Sequence, residues 1–131
     1  KRLSIASIVA MEPKILILDE PLVWIDPKNY NEIKKLLNEI SEEGTTVIFS
    51  THDVNFAYEF ADYIYIVKDG KIVKEGNREN VFNSVEEIRK YNLDFPEILK
   101  IADFLEKKYS FDKETFIKQY ENEVKNEGNN N

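Results

Sequence analysis

The sequence predicts an α/β protein: half of an open, largely parallel sheet, followed by a helical extension. Three observations lead there. Two short apolar runs, at 15–18 and 47–49, each end abruptly in polar, reactive side chains, as buried strands of a parallel sheet do. A helix-period segment with its own start and stop signals separates them. Beyond residue 77 the patterning turns helical throughout.

Taken in order, Leu3, Ile5, Ala6, Ile8, Val9 and Ala10 form a mostly apolar helical segment that Pro13 ends. Ile15, Leu16, Ile17 and Leu18 read as a strand buried on both faces, stopped by Asp19-Glu20-Pro21. Asp26-Pro27 starts a helix, with Asp as the N-cap and Pro in the first turn. Ile33, Leu36, Leu37 and Ile40 share one face of it, and Gly44 is the expected stop. Residues 45–50 are the second strand, ending in Thr51-His52-Asp53, and Asp53 can cap a helix over about 54–61. Residues 63–68 and 71–75 flank Asp69-Gly70, the composition of a tight hairpin turn. Ser84 with Glu87 three residues on is a capping box. Ile98, Ile101, Ala102 and Leu105 make one helical stripe behind Pro96. Asp112 caps a last helix with Phe116, Ile117, Tyr120 and Val124 inward, and a loose tail is expected from residue 127.

Composition narrows the chemistry. The 131 residues carry a net charge of −7, which argues against a nucleic-acid partner, because phosphate backbones are held by basic faces. There are no cysteines, so disulfides, thiolate metal sites and Cys nucleophiles are excluded. The lone His52 excludes multi-histidine metal sites. No apolar run approaches the roughly 20 residues of a membrane helix. The chain opens on Lys1 within a helical pattern, and the expectation is a piece of a longer protein. Ligands of open parallel sheets sit at the carboxyl ends of the strands. If the two apolar strands are near neighbours, Asp19, Glu20 and His52 converge on one edge. Two carboxylates and an imidazole suit a Mg-bound phosphate ester.

The joint pattern carries a resemblance. Ile15-Leu16-Ile17-Leu18-Asp19-Glu20-Pro21 resembles the Walker B motif of ABC-type ATPases, which belong to the P-loop NTPases. Asp26-Pro27 falls where that family has its D-loop Asp, and His52 matches its switch histidine. Asp69-Gly70-Lys71-Ile72 resembles the hairpin that follows. Lys1-Arg2-Leu3-Ser4-Ile5-Ala6 and Ala10-Met11-Glu12-Pro13 resemble the helix just after the ABC signature sequence. Residues 76–82, Tyr91-Asn92-Leu93, Pro96 and the stripe at 98–105 resemble the tail of ATPases from energy-coupling-factor importers of cobalt, nickel or vitamins.

The resemblance implies the C-terminal half of an ABC ATPase over residues 1–83 and a helical extension over 84–126 that serves dimerisation. It implies ATP and Mg2+ as ligands of the full-length protein. Asp19 would bind Mg, Glu20 would be the base that activates water, His52 would contact the γ-phosphate and Asp26 would act across a dimer interface. It further implies a second ATPase subunit and a membrane transport subunit as partners, and a cytoplasmic place on the inner face of the membrane. Leu22-Val23-Trp24-Ile25 departs from the small or polar residues usual in that loop, and Trp24 is expected to alter the dimer contact.

A phosphate cradle of the form G-x-x-x-x-G-K-[ST] is missing. The glycines stand at 44, 70, 76 and 128, and Gly70-Lys71 has Tyr65 and Ile72 where Gly and Ser or Thr are required. The chain alone is therefore expected to hydrolyse no ATP, and an apolar strand edge or face is expected to be exposed and to favour self-association. Two other readings stand beside this one. One is a soluble ABC-type ATPase acting on DNA or ribosomes; the other is a non-enzymatic dimerisation or regulatory module.

Overall fold

The computed structural model describes residue 7, residues 10–23 and residues 25–129. The expected helix through Leu3, Ile5, Ala6, Ile8 and Val9, and the contribution of Trp24, lie outside the described residues. The chain divides into two compact units, Lys1–His52 and Asp53–Asn131.

The first unit holds β1 (Ile15–Asp19), α1 (Pro27–Glu42) and β2 (Thr46–Ser50). β1 and β2 pair in parallel, with Ile15 opposite Thr46 and Asp19 opposite Ser50. This register brings the two polar strand ends side by side. Asp26 caps α1 by accepting from the Asn29 N–H at 3.2 Å. The helix buries Ile33, Leu37 and Ile40 together with Leu16 of β1, while Leu36 stays half-buried. Gly44, at φ 95°, ends the helix in a conformation costly for other residues, and its N–H donates to the Ser41 carbonyl. Pairing is prolonged below β2 by Thr46 N–H donating to the Lys14 carbonyl at 2.9 Å.

One expectation fails here. β1 is covered on one face only: Leu16 is buried, whereas Ile15 is 58% and Ile17 is 73% exposed. Ile48 of β2 is also exposed. An all-apolar run cannot distinguish one covered face from two, because the distinction depends on what lies against the sheet. The expected exposed apolar strand face is present.

The second unit begins with α2 (Val54–Phe60), continues through the hairpin β3 (Ile64–Lys68) and β4 (Lys71–Gly76), and adds four helices: α3 (Arg78–Val81), α4 (Val85–Lys90), α5 (Glu97–Tyr109) and α6 (Lys113–Asn129). The hairpin is antiparallel, and its turn residues Asp69 and Gly70 both take positive φ as the sequence requires. Among the described residues the strands thus form two two-stranded sheets. Ile64 and Ile66 point from β3 into a core shared with Val54, Tyr58, Val81, Phe82, Ile88, Phe95 and Leu99. That core runs across residue 83, so the hairpin and the following helices bury their apolar faces together.

On α5 the buried stripe is Leu99 and Ala102, and Ile101 is half exposed. The helix is rotated from the expected stripe because Phe95 and Leu99 fill the core at its N-terminal end. α6 is capped by Asp112, which accepts from Thr115 N–H at 3.3 Å, and it runs through Gly128 to Asn129, into the segment expected to be loose. Tyr120 O–H donates to Glu59 at 2.9 Å, and Arg78 pairs with Glu121 at 3.2 Å. Burial, followed by the Glu121 charge, pushes the Tyr58 hydroxyl up to about 12. Among the described residues no helix is long and apolar enough to cross a membrane.

Candidate active site

The site lies at the carboxyl ends of β1 and β2, within the first unit. Parallel pairing puts Asp19 directly beside Ser50, and the Ser50 hydroxyl donates to Asp19 Oδ1. One residue on, the chain turns sharply at Glu20, whose φ is 44°. A non-glycine residue in this left-handed region costs about 1 kcal/mol or more. The turn is held by the Glu20 N–H, which donates to both the carbonyl and the hydroxyl of Ser50, each at 3.2 Å. Val23 N–H closes the next turn on the Glu20 carbonyl at 3.3 Å.

This geometry delivers the Glu20 carboxylate to His52. The His52 Nδ1–H donates to Glu20 Oε1 at 2.7 Å. The His52 side chain is 76% exposed and that of Glu20 33%. A pair so open to water contributes at most about 1 kcal/mol to stability. It barely offsets the backbone strain at Glu20, so stability alone does not account for the arrangement. Strained residues that carry reactive side chains cluster at functional sites.

Asp19, Glu20 and His52 are therefore brought together, as the sequence leads one to expect. Asp26 is used elsewhere: it caps α1, and Asn29 Nδ2 also donates to its Oδ2 at 2.5 Å. Asp53 likewise caps α2, accepting from Asn55 and Phe56 N–H at 3.0 and 3.1 Å. Ser50 is the site residue that sequence reasoning missed. The available signal was a hydroxyl two residues before His52, at the end of a strand.

Among the described residues no three His, Asp or Glu side chains gather as a metal-binding group. The donors present at the strand ends are the hard carboxylate oxygens of Asp19, one of which also accepts from the Ser50 hydroxyl. They fit Mg2+, which takes one or two carboxylates and completes its shell with water and substrate phosphate oxygens. They do not fit a metal that demands an all-protein cage.

The mixed α/β arrangement, with its parallel strand pair, matches part of the fold of an ABC-type ATPase. In sequence and fold the chain matches the ATP-binding proteins of energy-coupling-factor transporters over most of its own length. It is 45% identical over 108 residues to the energy-coupling factor transporter ATP-binding protein EcfA of Methanocaldococcus jannaschii, covering 82% of this chain and 39% of that protein. It is 42% identical over 112 residues to EcfA2 of Clostridium perfringens, covering 85% and 39%. Among solved structures, CbiO1 of Clostridium perfringens, described as part of the ABC transporter complex CbiONQ, matches with a TM-score of 0.57 and 42% identity. That match covers 70% of this chain and 37% of the other. The chain thus spans about two fifths of the length of the curated relatives it matches. No protein-family model matches it.

Proposed function

We propose that this chain carries the water-activating half of an ATP-hydrolysing subunit in an ABC-type importer of the energy-coupling-factor kind, for cobalt, nickel or another substrate of that class. The single observation that carries the reading is the strand-end cluster, with Glu20 and His52 joined at 2.7 Å beside Asp19. Glu20 accepts the proton of the attacking water. His52 orients that carboxylate through Nδ1, and contact with the γ-phosphate falls to Nε2. Asp19 holds the Mg2+ that accompanies ATP, directly or through water; the ion neutralises charge on the phosphates when bound. Asp26, at the start of α1, acts across a dimer interface.

The names of the relatives support two partners, a second ATPase subunit and a membrane transport subunit, and hence a peripheral place on the cytoplasmic face of the membrane. Residues 84–126 serve dimerisation in this reading. Phe104, Tyr109 and Phe111 are exposed there, a composition suited to an interface. The chain as it stands has no phosphate cradle, and phosphoryl transfer relies on positioning and charge stabilisation. It therefore binds no nucleotide and turns none over alone.

Calorimetric titration of the chain with Mg·ATP tests the last point, with no heat of binding expected at millimolar nucleotide. Saturable binding would mean that other groups hold the phosphates. In a longer protein that includes the cradle, Glu20→Gln is expected to lower ATP turnover by about 100-fold or more. Unchanged turnover would remove Glu20 from the base role.

A further inference from the structure

We propose that Ser50 is a positioning residue of this site, whose one hydroxyl sets both carboxylates. The inference rests on the roles given above to Asp19 and Glu20. Its hydroxyl donates to Asp19 Oδ1 and at the same time accepts from the Glu20 N–H at 3.2 Å. A hydroxyl is suited to this because it offers one donor and two acceptor lone pairs on a single atom. Alanine offers neither, and a thiol is weak at both.

The two bonds have different consequences. The donated bond ties the rotamer of Asp19 to β2, across the Asp19–Ser50 register. The accepted bond, with the Ser50 carbonyl accepting from the same N–H, holds Glu20 in its left-handed conformation at φ 44°. Without the hydroxyl the Glu20 N–H keeps only the Ser50 carbonyl, so one of the two anchors of the left-handed turn is lost and the Glu20 side chain is held less firmly toward His52. Ser50 therefore acts through Asp19 and Glu20 and needs no contact with substrate.

His52 is the only histidine in the chain, so its ring-proton NMR signals can be identified without assignment. They report directly on whether Glu20 is in place. The test compares the 131-residue chain with Glu20→Gln, Ser50→Ala and Ser50→Thr at one fixed pH. Glu20→Gln is expected to move the His52 signals, Ser50→Ala to move them in the same direction, and Ser50→Thr, which keeps the hydroxyl, to leave them at the wild-type position. If Glu20→Gln moves the signals and Ser50→Ala leaves them unmoved, the role of Ser50 is overturned while the Glu20–His52 pair stands. If neither moves them, the pair itself is overturned and this inference with it. Should Ser50→Ala fail to fold, Ser50→Thr still decides: signals displaced from the wild-type position overturn the proposal. In a longer, nucleotide-hydrolysing protein, Ser50→Ala is expected to raise the Mg2+ concentration for half-maximal turnover about 10- to 100-fold, with Ser50→Thr restoring it. An unchanged Mg2+ requirement would overturn the link to Asp19.

Discussion

The two compact units of this chain divide their apolar and polar groups in opposite ways. In the first, the polar side chains Asp19, Glu20 and His52 stand at the carboxyl ends of the two paired strands, and one sheet face carries the exposed Ile15, Ile17 and Ile48. In the second, nine buried residues from a helix, a hairpin and the following helices close into one core. Its polar groups latch elements to each other: Tyr120 to Glu59, Lys74 to Glu87, and Asn55 to the start of α5. The lesson is that the proposed chemistry and the larger share of the packed core fall in different parts. The first unit places the open Glu20–His52 pair at its strand ends, and the second unit holds the larger closed core.

Perturbing each kind of group should separate the two behaviours. The largest effect is expected from the core of the second unit. Ile88 is fully buried, and Ile88→Ala should destabilise that unit by about 2–5 kcal/mol in denaturant unfolding. A loss under about 1 kcal/mol would mean that the core is not the source of its stability. Next comes Asn55. α5 has no side-chain cap of its own behind Pro96, and Asn55 Oδ1 supplies one by accepting from Glu97 N–H at 2.8 Å. Asn55→Ala should cost about 1 kcal/mol, readable as faster amide exchange in the first turn of α5.

The latches also predict how stability follows pH. The hydrogen bond from Lys74 holds the Glu87 carboxyl below its ordinary value of 4.5. A carboxylate depressed on folding contributes stability that is present above 4.5 and lost as pH falls through the folded value. The Tyr58 hydroxyl, raised from 10.0 to about 12 by burial, contributes the opposite edge: its share is present below 10 and lost as pH rises toward 12. Unfolding midpoints measured across pH should therefore fall at both ends. Glu87→Gln should flatten the acid edge and Tyr58→Phe the alkaline one, and edges that ignore these substitutions would assign the dependence elsewhere. The smallest change in stability belongs to the first unit. Ile17→Lys, on the exposed strand face, should alter stability by less than about 0.5 kcal/mol. Its effect should appear in sedimentation velocity as reduced self-association, since exposed apolar strands favour pairing between chains.

Local features were the legible ones. The caps at Asp26, Asp53, Ser84 and Asp112 all accept backbone N–H groups as expected. The hairpin turns at Asp69-Gly70, and the α1 face at Ile33, Leu37 and Ile40 is buried. Each depends on residues within a few positions of one another, where side-chain chemistry and backbone preference act alone. What failed depends on distant partners. Four apolar residues in β1 read as a strand covered twice, yet only the face of Leu16 and the half-buried Leu18 is covered. Ile101 joined a helical stripe by spacing, yet the rotation of α5 follows from what Phe95 and Leu99 fill.

The candidate site residues show the same boundary. Carboxylates and an imidazole after apolar strands, in the order of an ABC-type ATPase, were written in residue type and spacing. Their meeting was expected only on the condition that the two strands are neighbours, because Glu20 and His52 are 32 positions apart in the chain. Parallel pairing of β1 with β2 in one register, and a left-handed turn at Glu20 held by the backbone and hydroxyl of Ser50, close that gap. Side-chain chemistry is a property of each residue and can be read one position at a time. Distance between residues is a property of the fold, and only strand pairing and packing set it.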